Sequence, residues 1–460
     1  MPTTVSATLA ANEALERRRR TGAPVLPMAF GEAGLPVAPT LRAALAEAAD
    51  RAAYGPVAGS AELRRAAAGY WDRRELSTDP GLVVCGPGSK PLLFALLLAI
   101  GGDVVVPRPS WVSYAAQARM IGRRPLFVRT RPGQGGVPDP ELLAHIIPEA
   151  RARGRDVRTV VVTLPDNPTG TMASAATIRE LAEVAEEHDL MIVSDEIYRD
   201  LVHDPHAAIT SPSRFAPERT AVTTALSKSL ALGGWRIGAA RLPDGPRGEA
   251  LRQDLLGVAS EIWSSPPGPI QHAAAYAFTE PPELVERVAR SRRLHADVAQ
   301  AVAGRFAAAG ALVRPPEAAF YVYPDFAPLR AGLTESHGVA TGAQLSGMLL
   351  ERYGVGVLSG SEFGEPADAL RLRVATSLLY GETDEQRDAA LAAADPLTLP
   401  WIDEALGRLT EVLTELTAPA PAVRQSSRPS SRPSDRSKTE PAPLRQPLAE
   451  SALALARGGL

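Results

Sequence analysis

The run Ser227-Lys228-Ser229-Leu230-Ala231-Leu232-Gly233-Gly234-Trp235-Arg236 sets one lysine eight residues ahead of an arginine, with a Gly-Gly turn between them. A lysine that is to form a Schiff base needs a rigid mount, a weakened preference for its charge and an anion anchor nearby. This run supplies the mount and the anchor. Lys228 would hold an aldehyde cofactor, and Arg236 would grip a phosphate on it through charge-assisted hydrogen bonds. Taken alone, Lys228 reads equally well as a surface lysine in a serine-rich loop.

Other residues supply what such a cofactor requires. Asp195-Glu196-Ile197-Tyr198 closes a very apolar run. A carboxylate there, aimed into a closed site, is costly without a cationic partner. A protonated pyridine nitrogen is such a partner, and the pair would keep the ring an electron sink. Tyr198 could donate to a phenolic oxygen on that ring. So could Asn167, aimed by the tight turn Asn167-Pro168-Thr169-Gly170. Gly88, Ser89 and Lys90 open a helix whose free N–H groups suit a phosphate. Trp111 offers a flat face for stacking on a pyridine ring. Arg371 matches a substrate carboxylate in fork geometry. Strand alternation puts it on one face with Arg373, so a surface charge pair is the competing reading. Bland readings stand beside the others too: a helix cap, a core tyrosine, a core tryptophan, plain Gly-rich turns. The set as a whole points to pyridoxal 5′-phosphate.

These residues need elements to hold them. Strands are expected at 82–85, 103–106, 159–164, 191–194 and 220–224, with helices at 41–53, 62–74, from the Gly86–Ser89 turn to Ile100, and at 175–188. Such alternation implies an α/β fold with a largely parallel sheet covered on both faces. Ligands of such sheets gather at the carboxyl ends of the strands, where Gly88, Trp111, Asn167, Asp195 and Lys228 fall. A long helix over 281–305, strand-like segments at 320–323 and 370–375, and an amphipathic helix over 402–416 suggest a second, smaller α+β layer. From about Ala418 onward the chain is rich in Pro, Ser and Arg and is expected to be disordered.

The chain has 460 residues, 45% hydrophobic and 22% charged, with a formal net charge of -3. That balance makes no electrostatic case for a nucleic-acid partner. The single cysteine, Cys85, excludes an internal disulfide framework and a multi-cysteine metal site. The first 22 residues lack a secretory pattern, and Pro91–Ile100 is too short to span a bilayer. The expectation is a cytoplasmic protein with no membrane partner and no bound metal.

Taken in order, the motifs resemble those of the fold-type I, class I/II pyridoxal 5′-phosphate-dependent aminotransferases. They are Tyr54-Gly55-Pro56-x-x-Gly59, Gly88-Ser89-Lys90, Pro109-Ser110-Trp111, Asn167-Pro168-x-Gly170, Asp195-x-x-Tyr198, Ser227-Lys228, Gly234-Trp235-Arg236, Pro316-x-x-x-Phe320-Tyr321 and Arg371. The resemblance covers roughly residues 26–416. It implies a large cofactor-binding domain over 41–289 with a mostly parallel central sheet. It also implies a smaller α+β domain over 290–417 joined by residues 1–40, with the tail at 418–460. The implied activity is amino-group transfer between an amino acid and a 2-oxo acid by ping-pong kinetics. Lys228 would be the Schiff-base lysine, and Asp195 and Tyr198 its catalytic companions. A homodimer is implied as well, with Tyr54 reaching the phosphate of the neighbouring subunit. Gly31 would contact the substrate carboxylate through its backbone, beside Asn167 and Arg371.

Several positions depart from the family pattern. Ala225 stands where many members place Ser or Thr, so Thr224 or Ser227 would have to supply that phosphate contact. Ser260 and Leu98 occupy the positions matched to the basic residues of aspartate-specific members. An apolar or aromatic substrate side chain against Trp263 and Leu98 is therefore expected. Neighbouring activities on this scaffold are C–S lyases, cyclising synthases and amino-acid oxidases. A non-catalytic sensor is the reading from a different class. Too few residues precede the resemblance for the DNA-binding domain that such regulators carry.

Overall fold

The computed structural model describes residues 6–207 and 209–418, so the expected disordered tail lies outside it apart from Ala418. The described chain opens with helix α1 (Ala7–Arg20). Little in the sequence signals this element, because its apolar residues are mostly alanine. Leu15 is the one buried residue of α1. It packs with Ala29, Leu358 and Phe363. It also lies against the backbone of Gly356, where an added Cβ would sit 2.4 Å from the leucine Cδ1.

Seven strands make the central sheet: β1 Val83–Gly86, β2 Asp103–Arg108, β3 Pro125–Arg129, β4 Val157–Thr163, β5 Met191–Asp195, β6 Thr220–Ala225 and β7 Gly238–Arg241. Their order is β1-β7-β6-β5-β4-β2-β3. β7 runs antiparallel to both neighbours, and the remaining pairs are parallel. β5 and β6 are buried along their whole length. Helices cover both faces of such a sheet, so its strands read as continuous Val-rich runs rather than alternating ones.

The five expected strands correspond to β1, β2, β4, β5 and β6. β3 and β7 were not anticipated. β3 begins with a proline, which a sheet tolerates at its edge, where β3 lies. β7 is Gly-Ala-Ala-Arg, a run of low strand propensity ordered by pairing on both sides. Helix α2 (Ser89–Ile100) follows β1 and is apolar nearly all round, because it is wedged against the sheet. Helix α3 (Val112–Met120) follows β2. The helix expected over 41–53 spans Pro39–Glu47 instead. Pro39 opens its first turn, where the missing N–H costs nothing.

A second core surrounds helix α4 (Pro282–Ala308), the C-terminal helix Pro400–Thr417 and a three-stranded antiparallel sheet of β8 (Tyr321–Val322), β9 (Leu358–Ser359) and β10 (Leu372–Ala375). The C-terminal helix buries Ile402, Leu406, Leu409, Leu413 and Leu416, the apolar stripe read from its period. α4 is shared between the cores. Leu284 packs with the central sheet's helices, whereas Leu294, Val298, Val302 and Phe306 pack in the second core. The expected boundary at 289/290 therefore falls inside one continuous helix. Among the described residues no helix is long and apolar enough to cross a membrane.

Leu15→Ala removes the buried anchor of α1. A loss of about 2–5 kcal/mol is expected for such a truncation. Hydrogen exchange should show the α1 amides opening faster while β5 and β6 stay protected; equal loosening of both would contradict the assignment.

Candidate active site

Strand register builds the floor of the site. Asp195 at the end of β5 is paired with Thr163 of β4 on one side and Thr223 of β6 on the other. All three lie at the carboxyl ends of parallel strands. Asp195 is 3% exposed. Its Oδ2 accepts a hydrogen bond from Tyr114 Oη at 2.9 Å, and its Oδ1 accepts from Thr223 Oγ1 at 3.2 Å. Tyr114 Oη also meets Thr163 Oγ1 at 2.8 Å. Burial pushes the Asp195 carboxyl up to about 6, against the pull of these donors. Among the described residues no salt bridge involves it.

Lys228 sits in the single helical turn Leu226–Ser229 that follows β6. Its Nζ donates to Gly31 O at 2.5 Å and lies 6.0 Å from the centroid of the Tyr198 ring. Burial lowers its pKa to about 8; Arg373 and Arg236 push the same way, and Glu32 and Asp195 oppose. The chain has three lysines, Lys90, Lys228 and Lys438, among its 49 Lys and Arg residues. Two of the three are therefore at or beside this site. Gly31, Ser89, Trp111, Asn167, Asp195, Tyr198 and Lys228 all line one cavity, as expected. Thr8, Tyr114, Thr163, Ile197, Tyr321 and Arg373 also line it. None of these six is singled out as a site residue by the sequence, although Tyr321 and Ile197 stand within motifs read there, because no pattern gives any of them a chemical role of its own.

Beside Ser89 the cavity adjoins a turn suited to an anion, formed by Gly88 and Arg236, which do not themselves line the cavity. Gly88 caps α2 with φ 92°. A Cβ at that position would lie 2.5 Å from Arg236 Nη2, so glycine is what lets the guanidinium rest on the turn. Arg236 itself adopts φ 52°, in the left-handed region, and its Nη1 donates to Gly233 O at 2.9 Å. Lys90 is exposed and does not line the cavity; its Nζ is 5.0 Å from the centroid of the Trp111 ring. Desolvation and the Arg236 charge lower its pKa. Ser227 is buried next to Lys228 without lining the cavity.

Arg371 is not at the cavity. Its Nε donates to Asp325 Oδ2 at 2.9 Å and its Nη1 to Glu365 Oε1 at 2.7 Å. Arg373, in the middle of β10, lines the cavity instead and is 1% exposed. Parity along a strand places both arginines on one face, but residues two apart are about 6.6 Å distant, so one reaches the cavity while the other overshoots it. Arg373 Nη1 donates to Asn167 Oδ1 at 3.5 Å, which leaves the Asn167 NH2 group for the cavity, and Nη2 donates to Ala29 O. The guanidinium lies 5.0 Å from the Tyr321 ring and 5.2 Å from the Phe363 ring. Its Nε has no partner, and among the described residues no carboxylate pairs with it. A buried guanidinium in that condition has unmet capacity for an anionic partner.

Three further expectations change. Leu98 is 42% exposed on α2 and does not line the cavity. Trp263 is also absent from its wall; it lies beneath Gly86, where an added Cβ would be 3.3 Å from its ring. Ser260 is engaged with Gly257 O and Glu261. The apolar substrate wall expected from Leu98 and Trp263 is therefore not built from them, because helix phase turns Leu98 to the outside of α2. Tyr54 is 92% exposed and does not line this chain's cavity.

The family model described as aminotransferase class I and II matches residues 26–391. An aspartate/prephenate aminotransferase of Thermus thermophilus is 33% identical over 381 residues, 81% of this chain and 92% of that protein. An aspartate aminotransferase of Bacillus subtilis is 32% identical over 333 residues, 71% of this chain and 80% of that protein. The solved Thermus thermophilus aspartate aminotransferase with maleate superposes with a TM-score of 0.74 at 30% identity, covering 89% of this chain and 97% of that one.

The lowered pKa of Lys228 gives a direct test on the cofactor-free protein. Acylation at limiting reagent, followed by mass spectrometry, should give a rate for Lys228 that rises with a midpoint near pH 8. An ordinary lysine rises near ~10.4. A midpoint for Lys228 in that ordinary range would refute the electrostatic description.

Proposed function

The chain belongs to the aminotransferase class I and II family, and from that premise we propose which of its residues carry the reaction. The protein is a pyridoxal 5′-phosphate-dependent aminotransferase, moving an amino group between an amino acid and a 2-oxo acid. The cavity fits that cofactor. Asp195 is a buried carboxylate with neutral donors only, ready for a pyridinium N–H. The Gly88 turn with Arg236 laid over it is a cradle that a Cβ would fill. Lys228 is an amine whose pKa burial lowers to about 8, so an appreciable fraction is uncharged a little above neutral pH.

When bound, the cofactor supplies an aldehyde that condenses with an amine and a protonated ring that takes up electrons as the Cα–H bond breaks. The protein's residues do the rest. The N–H groups at the start of α2, with Ser89 and Arg236, bind the phosphate. Asp195 holds a proton on the ring nitrogen, and Tyr114 and Thr223 fix its two oxygens for that task. Asn167 and Tyr198 donate to the phenolic oxygen, and Trp111 covers one ring face. Lys228 Nζ would accept and return the proton that Cα loses, a role for which its depressed pKa suits it. Arg373 and the Gly31 backbone seat the α-carboxylate. The carrying observation is that Asp195, Lys228 and Arg373 are ionisable, sequestered around one cavity and without an ion pair among them.

A dicarboxylic amino donor is proposed in place of an apolar one. The relatives are named for aspartate, and the solved relative holds maleate, a dicarboxylate. Lys90, exposed beside the cavity with its Nζ 5.0 Å from the Trp111 ring centroid, is the cation proposed to reach the second carboxylate. We also propose a cytoplasmic homodimer, with the smaller domain formed by 290–417 and 1–40. Support for the dimer is the bare Tyr54 ring, which no described residue covers.

Arg373→Ala should lower kcat/KM for every amino acid by about 10²–10⁴, the loss expected when a buried carboxylate loses its partner. Arg371→Ala should change it less than about threefold, as for a half-exposed ion pair. The reverse order would overturn the assignment. In half-reactions followed by cofactor absorbance, aspartate should outpace leucine and phenylalanine, and Lys90→Gln should narrow that gap. A preference for leucine or phenylalanine in the unaltered protein would restore the apolar reading.

A further inference from the structure

We propose that Tyr321 is a positioning residue whose hydroxyl donates to Tyr198 Oη and so holds the Tyr198 proton toward the cavity. The proposal rests on the role given above to Tyr198 at the cofactor's phenolic oxygen, and goes beyond it to a second tyrosine.

Tyr321 begins β8, and its pairing with Ala375 of β10 fixes it beside the strand that carries Arg373. It is 1% exposed, and Tyr198 is 3% exposed. Their hydroxyl oxygens are 2.7 Å apart, with ring centroids 5.5 Å apart and planes at 81°. Burial raises both phenols above their ordinary pKa, so both are protonated at neutral pH. Two protons are then available, and the bond between the oxygens uses one.

Geometry decides which one. Among the described residues Tyr321 Oη has Tyr198 as its single hydrogen-bond partner. It is packed against Gly31, where a Cβ would stand 2.2 Å from that oxygen. If Tyr198 were the donor, the Tyr321 hydroxyl proton would face Gly31 and find no acceptor among the described residues, which buried groups avoid. If Tyr321 is the donor, its proton is satisfied, and the Tyr198 proton is left for whatever acceptor the cavity holds. The Arg373 guanidinium over the Tyr321 ring, 5.0 Å from its centroid, makes that phenol the more willing donor. A hydroxyl that accepts a hydrogen bond also donates a stronger one. Tyr321 thus sharpens the contact that Tyr198 makes.

The readout is the pH midpoint of the absorbance change of the holoenzyme, which reports proton loss from the linkage between Lys228 and the cofactor. Donation to the phenolic oxygen favours the deprotonated form and lowers that midpoint. Tyr198→Phe should therefore raise it. Tyr321→Phe should raise it in the same direction by a smaller amount, about half a pH unit, through weakened cooperativity. The double variant Tyr198→Phe/Tyr321→Phe should match Tyr198→Phe alone, because the relay has one exit. A Tyr321→Phe midpoint equal to that of the unaltered protein, or shifts that add in the double variant, would overturn the proposal and leave the Tyr198 assignment standing. No shift in Tyr198→Phe would overturn the Tyr198 assignment itself, and this inference with it. Should Tyr321→Phe fail to fold, 3-fluorotyrosine at 321 keeps the shape and makes a stronger donor. It should lower the midpoint, and a rise or no change would count against the relay.

Discussion

A carboxylate kept inside the protein by neutral donors alone is the constraint on which this site depends. Asp195 has Tyr114 and Thr223 on its two oxygens and no cation in contact. Burial makes its charged form costly, which is why its pKa sits near 6. Such a group is stable at a strand end because the parallel sheet on either side is rigid and supplies hydroxyls at the right register. Thr163 and Thr223 are its direct neighbours in the ladder. The unmet demand for a positive partner is what would suit the pocket to a protonated ring.

The same physics governs the opposite charges. Arg373 is a buried guanidinium whose described contacts are carbonyls and aromatic rings rather than a carboxylate. Lys228 is anchored to the Gly31 carbonyl. Had either reached Asp195, a closed ion pair would have formed and the site would have no use for a ligand. Scaffold geometry prevents this. Asp195 and Lys228 come from adjacent strands of the central sheet, whereas Arg373 and Tyr321 come from the paired strands β10 and β8 of the second core. The cavity thus lies where two separately packed cores meet, and α4 runs through both.

Most of the fold was legible because buried parallel strands announce themselves as Val-rich runs. Val160–Val162 and Ile192-Val193 need no partner to be recognised. β7 escaped notice because Gly238-Ala239-Ala240 has no such signature; it is a strand only through β1 and β6 on its flanks. α1 escaped because one buried leucine is too little amphipathic signal. At the site, Lys228, Asp195, Asn167, Tyr198, Trp111 and the Gly88 turn were legible because each stands in a local motif whose shape depends on its immediate neighbours. Tyr114 and Thr223 were not, because an aromatic on a helix and a threonine in a strand are ordinary core residues until register brings them to Asp195.

What the amino-acid order indicated alone was therefore the proposed cofactor end of the site: a lysine on a short turn, an arginine after Gly-Gly, an aspartate closing a strand. Those groups act from their own segment of backbone. The choice between Arg371 and Arg373, the outward phase of Leu98 and the meeting of Tyr198 with Tyr321 were decided by tertiary structure. Each depends on how far along a strand or around a helix a side chain sits relative to an element more than a hundred residues away. Periodicity assigns a face, and packing assigns the place on that face where a charge can be buried.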